Sequence, residues 1–166
     1  SVRKTAVVEG VGMVWAEPDG NRQNRGGWHV MVAIADVAFE AWEDTPEALF
    51  VAAAEATMNV MVGDLNTIVK RTLQSVQVVS EALDLLLFNF LQEIIFYKDA
   101  QRLLLRAESV RIERGGEGFL AFAELAGEVL DMDRHDLVVD VKAVTLHQFQ
   151  VEVTERGWEA FVILDI

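Results

Sequence analysis

Cysteine is absent from this sequence of 166 residues, tyrosine occurs once, proline twice and histidine three times. Without cysteine there is no disulfide, no thiol nucleophile and no thiolate-bound zinc or iron–sulfur site. The shortage of histidine restricts imidazole chemistry to His29, His135 and His147. Positive charge is also scarce: 14 Lys and Arg stand against 27 Asp and Glu, a formal net charge of -13. The few cations are scattered, as in Arg3-Lys4, Arg22, Arg25, Lys70-Arg71, Arg102, Arg106, Arg111 and Arg114. No basic tract therefore offsets the repulsion between such a chain and a phosphate backbone. Direct nucleic-acid binding is not expected, and a basic protein partner or a bound cation suits the charge better. Long apolar runs are missing too. No stretch reaches the roughly 18 residues that cross a bilayer, because Asp84, Asn89, Gln92 and Glu93 interrupt the longest helical segment. Residues 1–10 lack the continuous apolar centre of a secretory signal. The expectation is a cytoplasmic protein that does not enter a membrane.

What is present is apolar material, 52% of the chain, enough for one sizeable core. Its spacing predicts two helices. Over 46–62, Leu49, Phe50, Ala53, Ala54, Thr57, Met58 and Met61 recur at three- and four-residue steps. Asp44 or Thr45 can cap this helix, and Pro46 suits its first position, where a missing N–H costs nothing. Over 81–98, Leu83, Leu86, Leu87, Phe90, Leu91, Ile94 and Ile95 form one stripe, with Ser80 as the candidate cap. Both read as core helices whose Met and Phe side chains are packing. Most of the remainder reads as strand. From 138 to 153 apolar and polar residues alternate, and Arg156-Gly157 turns 158–165 back beside that strand. A glycine-rich turn at 115–118 joins 103–113 to 119–125, and 28–42 reads as one apolar strand. Residues 1–27 suggest a strand near Met13-Val14-Trp15 and a long turn. The order predicts the α+β class: a compact single module, a mostly antiparallel sheet with two main helices packed on it.

Enzyme signatures are few. Gly10-Val11-Gly12 lacks the third glycine and the following helix of a dinucleotide loop, and Gly115-Gly116-Glu117-Gly118 has no Lys-Ser/Thr to hold a phosphate. No serine stands in a nucleophile elbow. His147 has the parity of the inward residues on its strand and reads as a hydrogen-bonded core histidine or a ligand. His135, within Asp131-Met132-Asp133-Arg134-His135, reads as a ligand or as the anchor of its turn. Lys142 falls on the solvent face of the same strand as His147 and would form a charge pair beside an acidic site. The terminal run WEAFVILDI poses a sharper question. Asp165 has the parity of Phe161 and Ile163, where a carboxylate is costly to bury alone. With the carboxylate of Ile166 it offers the all-oxygen donors that Ca²⁺ and Mg²⁺ take. Asp36, which interrupts the apolar run 30–39, is the candidate third acid. An aspartate that merely forms a turn at a strand end is the competing reading, and spacing alone leaves both open.

Four motifs add a resemblance. AIADVAFEAWEDTPEALFVAAAEATMNVMVGDL resembles the opening of the archease family, with its Ala-Asp-Val, short strand and Thr-initiated helix. DLLLFNFLQEIIFYKDAQRLLLR is similar to the family's Leu-rich helix and following strand. GEVLDMDRHDLVVDVKAVTLHQFQVEV carries its Gly-Glu, Asp-x-x-Arg-His and Lys-Ala-Val-Thr-x-His elements, and GWEAFVILDI matches its terminal strand. The resemblance makes 28–166 an archease-like domain and leaves 1–27 as an N-terminal extension outside it. It implies a module that is not an enzyme but a protein cofactor. Such a cofactor binds a divalent cation, calcium or magnesium, through Asp36, Asp165 and the carboxylate of Ile166. It promotes guanylylation and multiple turnover of a GTP-dependent RNA ligase in tRNA splicing or RNA repair. Lys142, His135 and His147 are then candidates for partner contact or for support of the ligands. The family's usual His-Thr before Ala-Asp is Ala33-Ile34 here, a change that would lower cation affinity or ligase stimulation where that pair orients the aspartate. Two other classes compete: a metal-dependent phosphoester hydrolase using Asp36 and Asp165, and a purely structural binding module.

Overall fold

A computed structural model describes residues 14–16, 27–32 and 36–166 of the chain. Its elements run β1 (Val14–Ala16), β2 (Gly27–Val32), β3 (Asp36–Glu43), α1 (Pro46–Met61), β4 (Thr72–Ser80) and α2 (Leu83–Gln101), then β5 (Leu103–Gly115), β6 (Gly118–Val129), β7 (Ala143–Thr154) and β8 (Gly157–Asp165). All pairings are antiparallel. The class is the α+β expected, but the strands divide between two sheets: a five-stranded one in the order β1-β2-β3-β8-β7 and a three-stranded one in the order β4-β6-β5. Both helices touch strands of both sheets. Among the described residues, no helix is long and apolar enough to cross a membrane.

α1 begins where its sequence directs. Thr45 has extended backbone and its Oγ1 accepts the N–H of Ala48 at 3.2 Å, while Pro46 takes the first helical position. The helix is then buried almost all round. Leu49, Phe50, Ala52, Ala53, Ala54, Ala56, Met58 and Met61 all lie in the core, because β2, β3, β8, β5 and α2 pack against it. The alanines let neighbouring backbone approach closely. The polar groups on α1 find partners: Thr57 Oγ1 donates to Ala53 O at 2.9 Å, and Glu55 meets Arg106 of β5 at 2.8 Å. α2 packs Phe90 on Phe50, with ring centroids 5.6 Å apart.

Several expectations shift. Ser80 does not cap α2. It is the last residue of β4, paired with Phe119, and Ala82 occupies the N-cap without a side-chain hydrogen bond. The run 28–42 is not one strand but two, β2 and β3, paired from Gly27–Trp42 to Val32–Val37. The sequence concealed this because Ala33-Ile34-Ala35 holds no glycine, proline or asparagine to mark a turn. The strand expected over 138–153 begins only at Ala143 and loses register between Thr145 and Gln150, where Gln148 has φ 54°. That irregularity breaks the alternation, so Leu146, His147 and Gln148 are all exposed, and His147 is not a core residue. Both glycine turns are as expected, with Gly116 at φ 55° and Gly157 at φ 101°. β1 is the strand anticipated near Met13-Val14-Trp15; the loop at 17–26 lies outside the described residues.

Gly127 of β6 shows how tightly the smaller sheet is built. A Cβ there would lie 1.7 Å from the carbonyl oxygen of Leu104. Gly127→Ala should cost about 3 kcal/mol, the upper end of overpacking penalties, read as a lowered midpoint in urea unfolding. An unchanged midpoint would contradict this packing.

A candidate cation site at the paired ends of β3 and β8

β3 and β8 are in register along their whole length, from Asp36–Asp165 to Glu43–Trp158. Burial sets that register. Val37, Phe39 and Ala41 of β3 and Leu164, Val162 and Ala160 of β8 all enter the main core, so a slip of one residue would expose every one of them. The alternation that buries them brings Asp36 directly opposite Asp165, with both residues exposed. On the other side of β8, Ala143 of β7 is the cross-strand partner of Asp165, and the N–H of Lys142 donates to Asp165 O at 2.8 Å. Main chain on both flanks thus fixes Asp165, and Ile166 follows it directly.

Directly opposed residues on antiparallel strands have Cβ atoms about 4.5–5.5 Å apart, and like charges at that separation destabilise the pair. A cation between the two carboxylates would reverse the sign of that interaction. Among the described residues, no third histidine or carboxylate side chain joins them. Two opposed carboxylates offer only oxygen, which would suit Ca²⁺ or Mg²⁺ and not a metal that prefers nitrogen or sulfur. The pairing sets Asp36 beside Asp165, and Ile166 follows Asp165 in the chain. The other candidates stand differently. Lys142 is exposed, and it is its main chain, not its ammonium, that meets Asp165. His147 lies on the exposed irregular stretch of β7. Ala33 and Ile34 lie outside the described residues.

His135 is the anchor of its turn. It is 3% exposed; its Nδ1 accepts the N–H of Asp131 at 2.8 Å and its Nε2 lies 3.1 Å from Glu128 Oε2. Glu128 is the centre of this cluster, and the sequence reading passed over it although Gly-Glu and Asp-x-x-Arg-His were both visible. Its buried carboxylate also accepts from the N–H of Val69 at 2.5 Å, from Arg71 at 3.3 Å and from Arg134. The cluster fastens the chain after α1 to the end of β6. Burial alone would raise the pKa of Glu128, but hydrogen bonds from Arg134, Val69 and His135, with the Arg134 charge, outweigh it and lower the value from 4.5 to about 2. A carboxyl whose pKa falls on folding stabilises the fold above its unfolded pKa. Glu128→Gln should therefore cost about 1–3 kcal/mol at neutral pH. The difference from wild type should be full above pH 4.5 and vanish towards pH 2. Urea titrations at several pH values would check this, and a gap independent of pH would refute it.

Fold and site together define a two-sheet α+β module whose last strand lies inside the larger sheet and ends in opposed carboxylates. Comparison with known proteins then supplies the family. The chain belongs to the archease family: residues 28–166 match the Archease protein family (MTH1598/TM1083). It is 34% identical over 140 residues to protein archease of Pyrococcus abyssi, covering 84% of this chain and 98% of that protein. It is likewise 34% identical over 141 residues to protein archease of Methanopyrus kandleri, covering 84% and 99%. Among solved structures, that of Methanobacterium thermoautotrophicum protein 1598 superposes with a TM-score of 0.74 at 28% identity, over 84% of this chain and 99% of that one. A Thermotoga maritima archease, described as a possible chaperone, shares the fold with a TM-score of 0.55 at 19% identity, over 80% and 91% of the two chains.

Proposed function

We propose that this chain is a protein cofactor that holds a divalent cation, calcium or magnesium, on Asp36, Asp165 and the Ile166 carboxylate. With that ion it assists a GTP-dependent RNA ligase to become guanylylated and to turn over repeatedly. The observation that carries the reading is the direct opposition of Asp36 and Asp165, two like charges that an antiparallel pair tolerates poorly without a counter-ion. The net charge of -13 supports a basic protein surface as the partner and argues against direct contact with RNA. The description of the Thermotoga maritima relative as a possible chaperone agrees with an accessory role. The register that sets Asp36 opposite Asp165 supports a site that needs little ordering to take up a cation.

Calcium titration by calorimetry tests the site. Asp36→Asn and Asp165→Asn should each weaken binding at least about tenfold, since each removes a charged donor. Adding residues after Ile166 converts its carboxylate to a neutral amide and should also weaken binding while leaving the unfolding midpoint within about 0.5 kcal/mol, as for most surface changes. The function itself is read in multiple-turnover ligation by the partner enzyme. Turnover should rise with added wild-type chain and not with Asp165→Asn; equal turnover with and without the chain would sink the cofactor role.

A further inference from the structure

Asp165 owes its position to β7 as well as to β3, and the entry to β7 is tied to α2. Residues 140–142 precede the strand, so no ladder holds them. Val141 is fully buried, and its carbonyl needs a partner. Lys98, in the last turn of α2 and 8% exposed, provides it: Nζ lies 2.7 Å from Val141 O, 2.5 Å from Asp140 Oδ1 and 2.5 Å from Asp99 Oδ1. Further back on the same helix, Gln92 Oε1 accepts the N–H of Val144 at 3.1 Å. Between these two attachments stands Lys142, whose N–H donates to Asp165 O. Burial works against the Lys98 charge. Hydrogen bonds to Asp140 and Asp99 outweigh it, so its pKa lies above the ordinary 10.5 and the ammonium persists at neutral pH.

We propose that Lys98, seconded by Gln92, is a positioning residue for the cation site: it holds Asp140-Val141-Lys142 so that the Lys142 N–H fixes the main chain of Asp165 opposite Asp36. The functional half of this inference rests on the cation reading above; the structural half does not. A ligand group held within about 0.5 Å of its working position binds without further ordering, and loosening such support commonly costs ten- to a hundredfold in metal affinity. An ammonium that only neutralised the end of α2 would leave Asp165 untouched.

The test uses Lys98→Met, which keeps the apolar stem and removes the donors, and Lys98→Arg, which restores donors. Arg106→Met, which breaks a different helix-to-strand ion pair, is the control for general loosening. Amide exchange at Lys142, followed by NMR without added metal, should accelerate about tenfold in Lys98→Met, recover at least partly in Lys98→Arg and stay unchanged in Arg106→Met. Calcium affinity should fall about tenfold in Lys98→Met and follow the same order. Gln92→Leu, which removes the second attachment, should move both readouts in the same direction and replaces Lys98→Met if that variant fails to fold. Unchanged Lys142 exchange, equal calcium affinity in wild type and variant, or the same loss in Arg106→Met would overturn the assignment. A wild-type chain that binds no calcium would overturn the cation reading, while the exchange measurements would still decide what Lys98 holds.

Discussion

Burial of α1 on nearly all sides is the constraint on which the architecture depends. A helix with one apolar stripe needs one sheet; this helix presents Leu49, Phe50, Met58, Met61 and a run of alanines to strands of both sheets and to α2. Each sheet therefore has one face committed to the core. For β3 and β8 that commitment selects alternate residues from each strand and leaves only one register. The opposition of Asp36 and Asp165 is thus a by-product of apolar packing elsewhere along the same two strands. The two aspartates are carried by paired strands, not by a loop.

The buried charges of Glu128, Lys98 and Glu55 each have partners. Glu128 is met by Arg134, Arg71, His135 and the Val69 amide, Lys98 by Asp99, Asp140 and the Val141 carbonyl, and Glu55 by Arg106. Buried ion pairs of this kind contribute little net stability against apolar replacements. What they do is join segments that lack a ladder: the chain leaving α1, the turn at 131–135 and the approach to β7. Val69 and Arg71 reach Glu128, and Lys98 reaches Asp140 and Val141, across more than forty residues, so these pairings specify which connections lie together after the hydrophobic residues have decided that they collapse.

How much could be read beforehand follows the same division. Helix periodicity, the Thr45-Pro46 start and the glycine turns are local signals, and they appear in the structure where the residues place them. The division into two sheets was not legible, because period-two alternation shows that a strand has an inner face without showing which sheet shares it. The β2–β3 pair was hidden by an apolar stretch without turn residues. His147 was misplaced because nothing in Thr145-Leu146-His147-Gln148 announces a left-handed Gln148 and the loss of parity that accompanies it. Glu128 looked like any acid in an acidic chain, since its setting depends on Val69 and Arg71 arriving from elsewhere. The two aspartates stood out singly, each as a charge at odds with its apolar neighbours; their meeting depends on a strand pairing that spacing cannot reveal.

The place of β8 has a consequence for biosynthesis. Of the eight described strands it is made last, yet it lies between β3 and β7, inside the larger sheet. Until β8 inserts, β3 has one hydrogen-bonding edge without its native neighbour, and among the described strands β7 has no partner. Such an edge invites pairing with foreign strands. Closure of the larger sheet is accordingly governed by contacts of long sequence separation and slowed by them. The nascent chain is most exposed to misassembly in the interval just before β8 inserts.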